Sequence, residues 1–244
     1  MVVVWVWATR IRNYSIVDVF WAFNFVVIAA MLAWLGNGDP LRKGLVCGIA
    51  ALWGLRLGIY LAIRVFSHLG HEEGRYQQLR QEWSSHRDLR FFFFFQAQAV
   101  LNTLLSTPFF IIACNATPGL SALEYTGAAL WLVSVAGEGI ADWQLQQFRK
   151  DPANKGKVCT VGLWNYSRHP NYFFQLMIWV SVLLFALPSH YGWLAVICPL
   201  TIGYFLFRVT GIPMTEEQSL RTKGDAYRRY QQTTSAFIPW FRKK

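Results

Sequence analysis

A run of hydrogen-bonding residues precedes a hydrophobic segment in the second half of the chain. It reads GLWNYSRHPNYFFQ from position 162 and contributes Arg168, His169, Asn171 and Tyr172. A guanidinium group binds phosphate through paired hydrogen bonds, and an asparagine amide can bind a carboxamide or a ribose hydroxyl. Pro170 suits the first turn of a following helix, whose free N–H groups favour an anion. This run therefore predicts a site for an anionic small molecule.

Other ionisable residues fall inside hydrophobic segments, where such groups are costly and usually face a cavity or a partner. Arg56 is about ten residues from the nearest end of its segment, too deep to reach the headgroups easily. Either Asp18 is its structural counter-ion or both residues line a functional cavity. The candidates are Asp18, Arg56, Tyr60, Arg64, Glu138, Asp142 and Arg149. Most lie towards the predicted cytosolic ends of their segments, which indicates a polar cavity open to the cytosol.

The elements that must position these residues are transmembrane helices. Hydrophobic residues make up 54% of the chain and charged residues 15%, a composition typical of membrane proteins. Crossing a bilayer core takes about 20 mainly apolar residues. Six full spans are predicted, at 14–35, 44–66, 91–114, 120–143, 172–187 and 192–212. Residues 1–13 resemble the end of a further span, so we expect one all-α integral membrane domain of six to seven helices, followed by a polar segment at 213–244.

The distribution of positive charge predicts the orientation of this bundle. The formal net charge is +10, yet most lysines and arginines fall in alternate loops and in the C-terminal segment. Only Arg42 and Lys43 fall on the opposite side, and Arg56 lies within a span. By the positive-inside rule the long loops and the C-terminus are cytosolic, in a plasma or endoplasmic reticulum membrane. The cations are therefore expected to contact membrane lipids, and nucleic-acid binding is not expected.

Several other kinds of site are not expected. The four cysteines are far apart and form no C-x-x-C pair, which argues against a disulfide framework and a zinc site. His68, His71 and Glu72 read as a solvated loop, so no metal is predicted. There is no G-x-G-x-x-G after a strand, which excludes a Rossmann fold. Glu216 and Glu217 either bind ribose hydroxyls or a cofactor's positive charge, or complement a helix dipole; the chemistry leaves both open.

Five segments together resemble the membrane family called domain of unknown function 1295, a branch of the steroid 5-alpha-reductase superfamily. They are SIVDVFW, WGLRLGIYLAIR, EEGRYQQLR, NKGKVCTVGLWNYSRHPNYF and EEQSLRTKGDAYRRYQQTTSAFIPWF, and they span nearly the whole chain. The resemblance implies a seven-helix membrane fold that binds NADPH on the cytosolic side and admits a lipid-like substrate from the bilayer.

The resemblance also implies roles for individual residues. Asp142 and Asn171 would hold the nicotinamide or adenosine portions, and Arg149 the phosphates. The remaining members of the expected cofactor site are Arg56, Glu138, Arg168, His169, Tyr172 and Glu217. Asp18 resembles the catalytic acid of the steroid enzymes, and Tyr60 is the alternative proton donor. Related sequences read HPNYFGE, whereas Phe174 and Gln175 replace the glycine and the glutamate here.

The expected activity is therefore NADPH-dependent reduction of an activated carbon–carbon double bond in a steroid, sterol or other lipid. One alternative is a membrane methyltransferase that uses S-adenosylmethionine, because RHPNY followed by a pair of glutamates also resembles isoprenylcysteine and phospholipid methyltransferases. A second alternative is a non-catalytic lipid-binding protein. The segments in the first half of the chain and the cations near the central motif favour the reductase.

Overall fold

A computed structural model describes residues 1–209 and 211–242. The regular elements in these residues are helices, as the predicted all-α class requires. The α-helices of the described residues are α1 Val2–Ile11, α2 Ile16–Leu35, α3 Pro40–Phe66, α4 Gly74–Glu82, α5 Arg87–Ala113, α6 Ala122–Lys150, α7 Pro170–Ala186, α8 Ile197–Tyr204, α9 Ile212–Lys223 and α10 Asp225–Thr233. A π-helical turn, Phe205–Val209, follows α8.

Four helical segments of the described chain are long and apolar enough to cross a membrane. They are α2, α3, α5 and the segment from Gly192 to Lys223 that contains α8 and α9. The chain is thus a membrane protein by the length and composition of its helices. The other two predicted spans correspond to α6, which carries polar residues along its second half, and to α7, which has 17 residues. A total of six or seven spans stays a prediction.

Two helices extend beyond the predicted spans, and a capping group explains the extension of one of them. Helix α3 begins at Pro40 because Asp39 caps it, with Oδ1 accepting a hydrogen bond of 3.0 Å from the backbone N–H of Arg42. Helix α6 begins with a reciprocal capping box between Ser121 and Glu124 and continues to Lys150, past the predicted end at residue 143. As a result, Arg149 lies in the last turn of α6 rather than in a loop.

The chain divides into two compact units, residues 1–120 and 121–244. In the first unit α2 and α3 pack closely because Gly54 has no side chain: a Cβ there would lie 2.9 Å from the carbonyl oxygen of Ala22. Aromatic rings fill the space around this contact. Phe25 meets Trp53 edge-on at 4.9 Å between ring centroids and Phe109 of α5 at 6.1 Å. These three side chains join α2, α3 and α5.

The segment that contains α4 is attached to the turn between α1 and α2. The carboxylate of Glu72 accepts hydrogen bonds from the backbone N–H of Tyr14 at 2.6 Å and from Arg80 Nε at 2.7 Å. The backbone N–H of Glu73 donates to Ser15 Oγ at 3.0 Å. The EEGRYQQLR segment therefore has a structural role in fixing the entry to α2.

In the second unit α6 and α7 form the main packed pair, and two glycines of α6 allow the close approach. A Cβ on Gly127 would lie 2.8 Å from the carbonyl oxygen of Ser181 in α7. A Cβ on Gly137 would lie 2.5 Å from the ring of Phe174. The side chain that replaces a glycine of related sequences is therefore accommodated by a glycine on the neighbouring helix.

Candidate functional site

The loop before α7 is attached to α6, which fixes the position of the central motif. Gly162 has a φ of +56°, a conformation that favours glycine. The backbone N–H of Leu163 donates to Gln144 Oε1 at 2.9 Å, and the indole N–H of Trp164 donates to the carbonyl of Ala141 at 2.9 Å. Because Trp164 is buried, these bonds hold residues 162–165 against the second half of α6.

A cluster of polar side chains forms around Glu216 of α9, and we call it the Glu216 cluster. Glu216 Oε1 accepts a hydrogen bond of 2.7 Å from Arg168 Nε and lies 3.2 Å from His169 Nε2. Glu216 Oε2 accepts from the side-chain amide of Gln231 in α10 at 2.8 Å. The side chains of Arg168, His169 and Glu216 are 11%, 2% and 16% exposed. The cluster therefore joins the central motif to α9 and α10.

Arg168 also binds the C-terminal end of α10. Its Nη1 donates to the carbonyl oxygens of Gln231 and Thr234, each at 2.8 Å. These carbonyls lie where a helix leaves its last backbone acceptors unsatisfied, and a cation there complements the helix dipole. Arg168 was expected to bind a cofactor, but two of its nitrogens are engaged by the protein itself. Its observed contacts are those of a residue that organises the site.

His169 and Tyr172 form the next layer. Their rings stack with 5.3 Å between centroids and 5° between planes. The Tyr172 hydroxyl lies 3.1 Å from Thr215 Oγ1, and that threonine hydroxyl donates its single hydrogen to the carbonyl of Gly211 at 2.9 Å. Tyr172 must therefore donate to Thr215. The imidazole of His169 is consequently held between the Tyr172 ring and the Glu216 carboxylate.

Asp142 of α6 and Asn171 of α7 are brought into direct contact. Asn171 Nδ2 donates to Asp142 Oδ1 at 3.2 Å, while Asn171 Oδ1 accepts from the backbone N–H of Tyr172 at 3.0 Å. These two bonds fix the orientation of the amide. Glu138, one helical turn before Asp142, is buried with 5% of its surface exposed. Asp142 and Asn171, which the resemblance assigns to the nicotinamide or adenosine portions of the cofactor, thus meet at the α6–α7 contact.

A second feature of this unit is a cleft of about 310 Å³ at the end of α6. It is lined by five cations from the last turn of α6, the following loop and the last residue of α9. We call it the basic cleft, defined by Arg149, Lys150, Lys155, Lys157 and Lys223. The sequence grouped Arg168 with the first four of these residues, whereas the structure places Lys223 there and Arg168 in the Glu216 cluster.

The basic cleft has little negative charge of its own. Within residues 1–209 and 211–242 its five cations form no ion pair with a carboxylate. Asp151 is the carboxylate that lines it, and its oxygens accept from the backbone N–H of Ala153 at 2.9 Å and the Asn154 amide at 3.3 Å. Burial raises the pKa of the Cys159 thiol, so that this side chain stays neutral. The cleft is therefore suited to an anion.

The predicted catalytic residues belong to the first unit. Asp18 Oδ1 accepts a hydrogen bond of 2.7 Å from the hydroxyl of Tyr76, and the Tyr60 ring lies 5.8 Å from the guanidinium carbon of Arg64. Arg64 also forms a bidentate pair with Glu73, at 2.5 and 2.8 Å. Arg56 lies on α3 one turn before Tyr60. The catalytic roles of Asp18 and Tyr60 stay predictions.

The two adjacent glutamates of α9 have different surroundings. Glu217, which was expected to bind cofactor, is 63% exposed and pairs with Arg221 at 2.5 Å one turn along the helix. Glu216 instead faces the central motif. The sequence assigned Glu217 to the cofactor site, whereas the structure places Glu216 against the central motif; the cofactor role of Glu217 stays a prediction.

Residues 4–234 match a protein family that is described as protein of unknown function (DUF1295). The chain belongs to the DUF1295 family. The match includes both units and all the residues of the Glu216 cluster and the basic cleft. No curated protein and no solved structure matches the chain.

Proposed function

We propose that this DUF1295 protein is a membrane-embedded reductase that uses NADPH to reduce an activated carbon–carbon double bond in a lipophilic substrate. The basic cleft is the observation that carries the proposal, because a dinucleotide with several phosphates needs a set of cations that lack internal counter-ions. The cleft adjoins the same helix, α6, that carries Glu138 and Asp142. One element would therefore position the charged and the polar parts of a single cofactor.

The donor set fits such a cofactor. Small-molecule sites usually have volumes of about 300–1,000 Å³, so a cleft of about 310 Å³ suits the phosphorylated portion and not a whole dinucleotide. Arg149 would bind a phosphate group through its guanidinium fork, with the lysines adding positive charge. The second Nδ2 hydrogen of Asn171, which its bond to Asp142 does not use, suits a carboxamide or ribose oxygen.

When bound, NADPH supplies a hydride to the β carbon of an enone-like bond, and a proton must then reach the α carbon. The contribution of the protein is to hold the reacting groups in one orientation. Bonds within the Glu216 cluster and between Asp142 and Asn171 would keep the side chains of the central motif fixed during that reaction. The reaction also requires a neutral proton donor.

The proposal places the cofactor site on the cytosolic side of a plasma or endoplasmic reticulum membrane. Support comes from the positive-inside rule, since the basic cleft belongs to the loops that carry most of the cations. The lipophilic substrate would enter from the bilayer. The same cations favour a dinucleotide over S-adenosylmethionine, whose sulfonium group is positively charged.

Cofactor binding tests the proposal. The purified full-length protein is titrated with NADPH, NADH and S-adenosylmethionine by calorimetry or cofactor fluorescence. We expect NADPH to bind, and Arg149→Ala to weaken it by about 10-fold to 100-fold, since a hydrogen bond to a charged group contributes about 1.5–3 kcal/mol. Arg221→Ala is the matched control, because this exposed cation pairs with Glu217 outside the cleft.

The result separates the candidate functions. Absence of NADPH binding to the wild-type protein would overturn the reductase, and binding of S-adenosylmethionine instead would support the methyltransferase. NADPH binding without turnover on enone, sterol and enoyl-lipid substrates would indicate a non-catalytic protein. Equal weakening by Arg149→Ala and Arg221→Ala would contradict the assignment of the phosphates to the basic cleft.

A further inference from the structure

The segment after α10 is bonded to the central motif through its backbone. The N–H of Arg168 donates to the carbonyl of Ser235 at 2.9 Å, and Ser167 Oγ donates to the carbonyl of Phe237 at 2.8 Å. Further along, the N–H of Trp240 donates to the carbonyl of Tyr166 at 2.9 Å. The segment from 235 to 241 is therefore held in one conformation along the loop before α7.

Large apolar side chains of this segment point into open space. Ile238, Trp240 and Phe241 are 60%, 69% and 75% exposed, and the exposed Tyr166 of the adjoining loop extends the same surface. We call it the aromatic face, and it consists of Tyr166, Ile238, Trp240 and Phe241. The Phe241 ring meets Tyr166 and Trp240 edge-on, at 6.0 and 6.3 Å between centroids. These four residues lie outside the α-helices of the described chain.

The depth of the aromatic face follows from α7. Its 17 residues span about 25 Å, less than the roughly 30 Å of a bilayer's hydrocarbon core. On the predicted crossing of the bilayer by α7, its first turn lies at the edge of the hydrocarbon and not outside it. Phe173 in that turn meets Phe237 edge-on at 5.6 Å, and Phe237 also contacts Phe207 at 4.7 Å. We therefore expect the segment after α10 to lie at the level of the headgroups.

We propose that the aromatic face is a lipid-binding surface that inserts into the headgroup region of the leaflet at the start of α7. Trp and Tyr are enriched at this level because their rings are apolar and their N–H and O–H groups stay hydrated. The charge fits an anionic leaflet: Arg242 follows the aromatic residues, with its guanidinium carbon 5.9 Å from the Tyr230 ring. Two lysines come next in the sequence.

This surface is separate from the proposed reductase chemistry, but the two share the central motif. The backbone that carries Trp240 is bonded to Tyr166, and the backbone of Ser235 is bonded to Arg168. Lipid contact on one side of the segment would thus stabilise the loop that holds the Glu216 cluster on the other side. A protein in detergent would retain the bonds but lose the leaflet that holds them in place.

A fluorescent probe at Phe241 tests the proposal. Phe241→Cys is made in the full-length protein with Cys114→Ser, since the other three native cysteines are buried. The thiol is labelled with a nitrobenzoxadiazole dye, and the protein is reconstituted in vesicles of phosphatidylcholine, alone or mixed with phosphatidylglycerol. Asp225→Cys is the matched control, because its side chain is 87% exposed in the first turn of α10.

We expect the dye at residue 241 to show a blue-shifted emission and to be quenched by lipids that carry a nitroxide near the headgroup, while the dye at residue 225 shows neither. Phosphatidylglycerol should increase the quenching, and Arg242→Ala should remove that increase. Identical emission and quenching at the two positions would overturn the proposal. A blue shift without lipid quenching would also overturn it, because the face would then be covered by protein.

A second variant guards against misfolding. Trp240→Ser keeps the backbone bond to Tyr166 and removes only an exposed ring. It should lower the quenching of a dye at Ile238→Cys without changing the melting temperature in detergent. Unchanged quenching in this variant would show that the ring does not contribute to lipid contact.

Discussion

Glu216 and Glu217 are neighbours in the sequence, yet only Glu216 belongs to the Glu216 cluster. Glu216→Ala leaves the partly buried Arg168 without its carboxylate, and the loss of one partner from such a pair costs about 3–5 kcal/mol. Glu217→Ala removes an exposed pair with Arg221, which contributes about 0–1 kcal/mol. We expect a large loss of unfolding free energy for the first variant and little change for the second. Equilibrium unfolding in mixed micelles measures both, and equal losses would contradict the Glu216 cluster.

At the residue scale, local polarity was the part of the site that the sequence could predict. Arg168, His169 and Asn171 lie together at the start of a hydrophobic segment, where polar groups are costly and usually face a cavity or a partner. The contact between Asp142 and Asn171 could also be predicted, because each residue belongs to an expected helix. The places of Lys223 and Gln231 in the site could not be predicted, since they depend on how α9 and α10 pack against the central motif.

At the scale of elements, the contact between α6 and α7 depends on two glycines with different neighbours. Gly127 faces the backbone of α7 at Ser181, which cannot move without shifting the helix, whereas Gly137 faces the side chain of Phe174. Overpacking usually costs about 1–3 kcal/mol. Gly127→Ala should therefore lie at the upper end of this range and Gly137→Ala at the lower end.

Phe174→Ala provides the control for this pair of variants. It should reduce the cost of Gly137→Ala, because the ring that would overlap the new methyl group is gone, and leave the cost of Gly127→Ala unchanged. Thermal unfolding of the single and double variants in one detergent measures these differences. Additive effects of Gly137→Ala and Phe174→Ala would show that the added methyl group does not meet the Phe174 ring.

The attachment of α10 to the central motif should depend on pH. The Tyr230 hydroxyl donates to the carbonyls of Trp164 and Ser167, and burial raises its pKa above the ordinary value of about 10. Because the pKa of Tyr230 is higher in the folded state than in the unfolded state, its protonated hydroxyl contributes its full stabilisation below the unfolded pKa. This contribution falls as the pH rises beyond about 10. Tyr230→Phe should cost about 1–2 kcal/mol at neutral pH, because it removes the donor.

Melting temperatures at neutral pH and above about pH 10 test that dependence. The wild-type protein should lose stability over this interval, and Tyr230→Phe should lose less. Part of the loss should remain in the variant, because burial and the nearby Glu216 charge raise the pKa of Tyr227 to about 12. The same pH dependence in both proteins would contradict the role of the Tyr230 hydroxyl.

At the scale of the whole molecule, hydropathy predicted the membrane class and most of the helices, but it misjudged their ends. Helix α6 continues to Lys150 because the polar residues of its last turns still favour a helix, although they are no longer apolar. A hydropathy scale measures transfer into lipid and not helix propensity. The capping residues Asp39 and Ser121 carried the missing information about where α3 and α6 begin.

The orientation of the chain is the remaining prediction at this scale, and it depends on the distribution of lysines and arginines, of which only Arg42 and Lys43 fall on the sparse side. Arg42 is 2% exposed and donates to the carbonyls of Asn115, Thr117 and Gly119, while Lys43 Nζ donates to the carbonyl of Gly36 at 2.9 Å. Both cations are thus bound to backbone within their own unit.

We therefore expect a cytosolic C-terminus. A green fluorescent protein fused after residue 244 should fluoresce and an alkaline phosphatase at the same position should be inactive, since the first folds in the cytosol and the second needs an oxidising compartment. The matched control is insertion of the same reporters in the turn at 187–191, where the opposite pattern is expected. An active phosphatase at residue 244 would reverse the topology, and the basic cleft would then face away from cytosolic NADPH.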